Sequence, residues 1–336
     1  MTSIPFSLPK LIDGVRACDR ASVGRAITLV ESTAPHDQAP AEELLRALIP
    51  LSGNSIRVGI TGVPGAGKSN FIERFGLHRA SEGARVAVLA IDPSSPRSGG
   101  SILGDKTRME QLSKHPDCFV RPSPSRGSLG GISQKTREVI IICEAAGFDT
   151  IIVETVGVGQ SEVAVRSVTD FFILLCITGA GDELQGFKKG VIELADLILV
   201  NKADGENERA ARQLSAELNG ILHYLPPSSP HWSPRALPIS SLSGEGILEA
   251  DSLIKAAITE LRNSGDLQTH RTTQLTEWLE RLFRDEVERA VLALPEIKKL
   301  QQVLTARVVK GDITAREAVR ELIGRLPIHP ESDQIL

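Results

Sequence analysis

The sequence predicts a doubly wound α/β domain on a mainly parallel sheet, with helical extensions at its N- and C-terminal ends. Short, almost continuously apolar runs recur at Ile56–Ile60, Val86–Ile91, Thr150–Val153, Phe171–Ile177, Leu197–Val200 and Leu237–Ile239. Helix-like segments lie between several of them, at Gln134–Ala146, Glu206–Leu218 and Ile247–Leu261. Strands apolar on both sides belong to a sheet covered on both faces, and a helix between such strands is the crossover that parallel pairing needs. A glycine-rich turn after the first run opens a further helical pattern at Phe71, Ile72 and Phe75. Open sheets of this kind bind ligands at the carboxyl ends of their strands.

Taken in order, residues 1–52 form a helical extension. Leu8, Leu11, Ile12 and Val15, then Val23, Ala26, Ile27 and Val30, recur at helical spacing, and Leu44, Leu45 and Leu48 suggest a further helix. Residues 53–265 carry the α/β pattern. Residues 266–336 are expected to be a helical arm. Leu275, Trp278, Leu279, Leu282, Phe283 and Val287 form one apolar stripe. No Gly or Pro interrupts Thr272–Leu294, and Pro295 is expected to end the run. A second helix should follow Asp312-Ile313-Thr314, where Asp or Thr can cap it. Such a hairpin either packs on its own domain or pairs with a second chain.

Composition narrows the function classes. Hydrophobic residues make up 41% of 336, enough for a sizeable core and too many for wholesale disorder. With 38 basic and 42 acidic side chains, nothing suggests an electrostatic nucleic-acid binder. Lys188, Lys189 and the scattered arginines read as ordinary solvated surface. Cys18, Cys118, Cys143 and Cys176 form no C-x-x-C pair, so neither a disulfide framework nor a thiolate zinc site is indicated; Cys143 and Cys176 sit in apolar runs and read as core. The N-terminus lacks a signal-peptide pattern and no apolar run reaches membrane-spanning length, so the expected compartment is the cytoplasm.

Chemistry concentrates in short motifs at strand ends. Gly62-Val63-Pro64-Gly65-Ala66-Gly67-Lys68-Ser69 matches G-x-x-x-x-G-K-[ST] in full. Its glycines let backbone N–H groups turn toward phosphate oxygens, and the following helix adds its positive end. Lys68 would reach the β- and γ-phosphates and Ser69 would ligate Mg²⁺. Asp92, leaving the second run, reads either as a Mg²⁺ carboxylate or as a turn residue of Asp92-Pro93-Ser94-Ser95. Glu154-Thr155-Val156-Gly157 resembles a D-x-x-G element with Glu in place of Asp. Its carboxylate would sit near the metal's hydration shell, and the Gly157 N–H would sense the γ-phosphate. Asn201-Lys202-Ala203-Asp204 is an N-K-x-D pattern. Asp204 would accept from guanine N1–H and N2–H₂, a donor pair adenine lacks, and Lys202 would lie along the ring. Ser240-Ser241-Leu242 stands where such domains offer backbone N–H groups to guanine O6.

These segments, with Gly99-Gly100-Ser101-Ile102-Leu103-Gly104-Asp105-Lys106-Thr107-Arg108-Met109, Val158-Gly159-Gln160-Ser161-Glu162 and Gly181-Asp182-Glu183-Leu184-Gln185-Gly186, resemble the MeaB/ArgK family of P-loop GTPases. The resemblance spans nearly the whole chain. It implies a homodimeric, Mg²⁺-dependent GTPase that cycles between GTP and GDP. It also implies a partner, an adenosylcobalamin-dependent acyl-CoA mutase (usually methylmalonyl-CoA mutase), whose cofactor loading and protection the GTPase gates. By resemblance, Asp105 lies in a switch near Mg²⁺, and Asp182, Gln185 and Lys188 belong to a switch that communicates with the mutase. Two positions depart from the pattern. Asn70 replaces a usual Thr, though an amide still hydrogen-bonds phosphate, and Thr178 replaces a usual Pro.

Val158 follows Gly157 where Ras-like proteins carry a water-orienting Gln, so slow intrinsic hydrolysis is expected, with Lys68, Asp105, Glu154 and Gly157 as the catalytic set. The competing readings are an ArgK-like kinase linked to amino-acid transport and a metal-delivery GTPase. The isolated histidines, His78, His115, His223 and His231 among them, argue against the latter.

Overall fold

The computed structural model describes residues 7–92, 109–124, 129–155, 161–179, 189–225, 227 and 229–326. The strands are β1 (Ile56–Gly62), β2 (Val86–Asp92), β3 (Cys118–Pro124), β4 (Thr150–Thr155), β5 (Phe171–Cys176), β6 (Leu197–Val200) and β7 (Arg235–Pro238). They form one seven-stranded sheet in the order β3-β2-β4-β1-β5-β6-β7. Every pairing between these strands is parallel. The expected doubly wound α/β fold with helical extensions is the observed one.

Successive side chains of a strand point to opposite faces, and the core sorts accordingly. Val58 and Ile60 of β1, Val86 and Val88 of β2, and Phe171 and Ile173 of β5 face one layer. There they meet Phe71, Ile72 and Phe75 of helix α4 (Lys68–Ser81). Ala87, Leu89, Ile151, Val153 and Phe172 face the other layer. Each fully buried Ile or Phe of this kind contributes about 1.5–3 kcal/mol.

The N-terminal helices α1 (Leu8–Arg16), α2 (Arg20–Glu31) and α3 (Pro35–Leu48) are part of that second layer. Val15, Val23, Ile27, Leu44 and Leu48 are fully buried there. They pack with Val139, Ile142 and Cys143 of α6 (Leu129–Ala145), which follows the short α5 (Glu110–Lys114). Asp19 caps α2 by accepting from Ser22 N at 2.9 Å. Cys143 and Cys176 are core residues as expected. Burial raises the Cys143 thiol and pushes Cys176 up to about 12.

Strand β3 was not expected from the sequence. Its residues Cys-Phe-Val-Arg-Pro-Ser-Pro carry two prolines, which demote a strand reading. Among the described residues it pairs with β2 alone, at the sheet edge, where a missing N–H is tolerated.

The scattered arginines do not all lie in solvent, as the sequence reading had them. At the amino ends of the strands Arg57 is buried and donates to Glu144 twice, at 2.9 and 3.0 Å. Glu144 also accepts from Ser55 Oγ at 2.5 Å and Gly53 N at 2.8 Å. Asp170 accepts from Arg57 N at 2.9 Å and from Arg271 at 2.7 and 2.8 Å.

Further along come α7 (Ser161–Arg166), α8 (Lys189–Leu194), α9 (Glu208–Leu222), α10 (Ile247–Ser264) and α11 (Asp266–Ala293). The chain divides into two compact units, Met1–Gln274 and Leu275–Leu336. In the second unit, α12 (Pro295–Lys310) and α13 (Ala315–Ile323) follow. Helix α11 stops at Ala293, so Pro295 ends the run as expected, and a new helix starts at that same proline. The proline occupies the first turn of α12, where its missing N–H has no intrahelical role. Thr314 caps α13 in a reciprocal capping box with Glu317. Leu275, Leu279, Phe283 and Val287 of the apolar stripe are exposed.

Candidate functional site

The glycine-rich loop links β1 to α4, as its sequence requires. A Cβ on Gly62 would stand 2.3 Å from Leu175 O, so the strand end admits no side chain. Gly67 precedes α4 at φ +89°, and a Cβ there would stand 2.5 Å from Asn201 Nδ2. Val63 and Ala66 turn inward, and Ala66 N donates to Val63 O at 3.1 Å. Pro64, Gly65 and Asn70 are exposed. Lys68 and Ser69 occupy the first turn of α4, where the N–H groups of a helix start and the helix dipole favour an anion. Lys68 Nζ donates to Gly62 O at 2.7 Å and to Val63 O at 3.3 Å.

Glu154, the last residue but one of β4, lies beside this loop. Pairing of β1 with β4 brings it there, and Thr155 Oγ1 donates to Thr61 Oγ1 at 2.9 Å to clasp the two strand ends. Ser69 Oγ donates to Glu154 Oε1 at 3.5 Å. Pro64, Gly65, Gly67, Lys68, Ser69 and Asn70 line a cavity of about 500 Å³ together with Glu154 and Thr155. A hydroxyl and a carboxylate converging at its wall are hard oxygen donors, the set that suits Mg²⁺. Asp92 ends β2, with its backbone paired to Pro124, but its side chain lies outside the described residues. Asp105, Gly157, Asp182, Gln185 and Lys188 also lie outside them.

The N-K-x-D segment follows β6, and Ser240-Ser241-Leu242 follows β7. Asn201 joins both to the phosphate loop. Its Nδ2 donates to Ala66 O at 2.6 Å, and its Oδ1 accepts from Ser241 N at 2.9 Å and Ser241 Oγ at 2.8 Å. Ser240 Oγ donates to the Asp204 carboxylate, and Ala203 N donates to Ile239 O at 2.9 Å. Lys202 stands at φ +63°, a left-handed backbone that a non-glycine residue holds only when its surroundings impose it. Leu242 is exposed and its carbonyl accepts from Arg74 NH2 at 2.9 Å. The structure thus brings together Lys68, Ser69 and Glu154 in one cluster and Asn201, Asp204, Ser240 and Ser241 in another. The Thr61–Thr155 clasp had no signal in the sequence, since its members lie in different strands and Thr155 is a variable position of its motif.

His78 is not isolated, contrary to expectation. Its ring lies within 4.8 Å of carboxylate atoms of Glu82 and Asp251. Lys255 Nζ bridges those carboxylates, at 2.5 and 2.7 Å, and Arg79 pairs with Asp251 at 3.4 Å, so two cations match the two carboxylates.

A parallel sheet with a phosphate loop after β1 and an N-K-x-D loop after β6 defines a P-loop GTPase. Comparison with known proteins narrows this. The chain belongs to the family described as methylmalonyl Co-A mutase-associated GTPase MeaB, whose model matches residues 23–296. It is 45% identical over 316 residues to GTPase ArgK of Escherichia coli, covering 94% of this chain and 96% of that protein. It is 41% identical over 323 residues to the mitochondrial methylmalonic aciduria type A homolog of Mus musculus, covering 93% of this chain and 77% of that protein. A crystal structure of LAO/AO transport system kinase matches with a TM-score of 0.77 at 38% identity, covering 96% of this chain and 99% of that one. Among the described residues no helix is long and apolar enough to cross a membrane.

Proposed function

We propose that this GTPase is an accessory protein of an adenosylcobalamin-dependent acyl-CoA mutase, methylmalonyl-CoA mutase first among them, and that its nucleotide cycle gates loading and protection of the mutase's cofactor. The observation that carries this reading is the family match, which is described by association with that mutase and spans both clusters of the site. The phosphates of GTP or GDP lie against Gly62–Gly67 and Lys68, with Asn70 at the rim. Asp204 accepts from guanine, Lys202 flanks the ring, and the Ser240–Leu242 loop meets O6. Ser69 and Glu154, with Asp92 and Asp105, would hold Mg²⁺, which would supply charge neutralisation for the phosphates. Lys68 and the loop N–H groups stabilise the charge that builds as water attacks the γ-phosphate. Turnover is slow in isolation and rises when the partner reshapes the segments carrying Gly157, Asp182, Gln185 and Lys188. The exposed stripe Leu275–Leu279–Phe283–Val287 supports a homodimer through the C-terminal helices.

The test adds purified methylmalonyl-CoA mutase to the GTPase and follows single-turnover GTP hydrolysis and co-elution. Faster hydrolysis and a nucleotide-dependent complex are expected; fast hydrolysis that ignores the mutase, with no complex, rejects the partnership. Likeness to a protein described as a transport-system kinase keeps a second reading alive, phosphoryl transfer to an acceptor other than water. Labelled product from γ-labelled GTP in the presence of acceptor would favour it.

A further inference from the structure

The left-handed backbone at Lys202 needs a support, and Asn207 supplies one. Asn207 lies just before α9, three residues beyond the N-K-x-D motif. Its Nδ2 donates to Lys202 O at 2.7 Å, and its backbone N donates to Asp204 O at 3.2 Å. A carbonyl only accepts, so the amide nitrogen must face Lys202. That turns Asn207 Oδ1 toward Thr178, whose hydroxyl donates to it. Thr178 lies just past β5, on a different connection of the sheet. A residue of the β5 loop thereby sets the orientation of an amide that grips the base loop. On its other side that loop is held by Ser240 and Ile239. The α9 side is held by Asn207.

We propose that Asn207 and Thr178 are positioning residues for guanine recognition. The Thr178 hydroxyl orients the Asn207 amide, the amide clamps the Lys202 carbonyl, and the clamped backbone aims the Asp204 carboxylate two residues on. Neither side chain touches the base; their effect is carried through the backbone between Lys202 and Asp204. Guanine affinity is therefore tied to the placement of the loop after β5. The proposal rests on Asp204 being the guanine acceptor, so its test carries a separate control for that reading.

The experiment measures equilibrium affinity and release rate of GDP and inosine diphosphate, with Mg²⁺, on the full chain. Inosine diphosphate lacks the 2-amino group and keeps N1–H, so the ratio of the two affinities reports how well Asp204 is aimed. Asn207→Ala should weaken GDP about tenfold and Thr178→Val about threefold, mostly through faster release. Both should narrow the preference for GDP over inosine diphosphate. Thr178→Ser keeps the hydroxyl and should behave as wild type. A general loss of structure would instead weaken both nucleotides alike and lower the unfolding temperature without nucleotide. Should Asn207→Ala unfold the chain, Thr178→Val, nearly equal in volume to the wild type, decides the matter. If Asp204→Asn abolishes the preference while Thr178→Val and Asn207→Ala leave GDP affinity and the ratio unchanged, the clamp is wrong and the base reading stands. If Asp204→Asn also changes nothing, the base reading itself fails and the clamp falls with it.

Discussion

The two ends of the sheet are built in different ways. At the carboxyl ends, the polar groups come from short contiguous motifs, and backbone does much of the positioning: Gly62 and Gly67 admit close approach, and Asn201 grips Ala66 O and Ser241 N. At the amino ends, side chains pair with side chains. Buried Arg57, Glu144 and Asp170 form one network with half-buried Arg271, which reaches back to Ser55 O at 2.7 Å and to Gly53 O. Both ends border a cavity, but at the amino end Ser55 and Glu144, which line it, already spend their hydrogen bonds on each other and on Arg57. A buried charge is tolerated only when paired, so the amino end is a structural commitment and the carboxyl end is where ligand chemistry belongs.

The sharpest way to break this contrast is to remove one partner at each end. Glu144→Ala strands the Arg57 guanidinium and should cost about 3–5 kcal/mol in urea unfolding. GDP affinity of the folded protein should be unaffected, and a large affinity loss with little destabilisation would invert the assignment. Lys68→Ala should lower GTP hydrolysis by about a hundredfold or more, as removal of a preorganised transition-state donor does. Its unfolding temperature without nucleotide should match wild type; a fall comparable to that of Glu144→Ala would erase the contrast.

The smallest expected effect lies at His270, again at the amino ends. Burial, then the nearby Arg166 guanidinium, holds its imidazole below the ordinary value of 6.5, against smaller opposing contributions from Thr169, Asp170 and Asp196. Below that value the unfolded chain takes up a proton that the folded chain refuses. Stability should therefore fall as pH drops through this window and level off once the folded imidazole titrates. His270→Gln should flatten that slope between pH 7 and 5, read as unfolding temperature against pH; an unchanged slope would show that folding does not perturb His270.

Legibility followed the same division. The strand–loop–helix around Gly62–Ser69 was readable because every requirement it meets is local: a tight turn, unpaired N–H groups, a helix start. The strands β1, β2, β4, β5 and β6 were readable because their apolar runs are dense. Strand β3 was not, since its prolines are allowed only by an edge position that the pairing order assigns. Pro295 was correctly read as the stop of α11, but that the same proline also starts helix α12 was not read.

From the chain of letters alone came the parallel α/β plan, the phosphate loop, the N-K-x-D segment and the family, because hydrophobic runs and motif spacing are properties of contiguous residues. Folding was needed to set Glu154 against Ser69, Asn201 between two loops, and Thr178 against Asn207, and to bury Arg57 with Glu144. Those meetings depend on which strands lie side by side, and strand order is chosen by packing energy summed over the whole core rather than by any local run of residues.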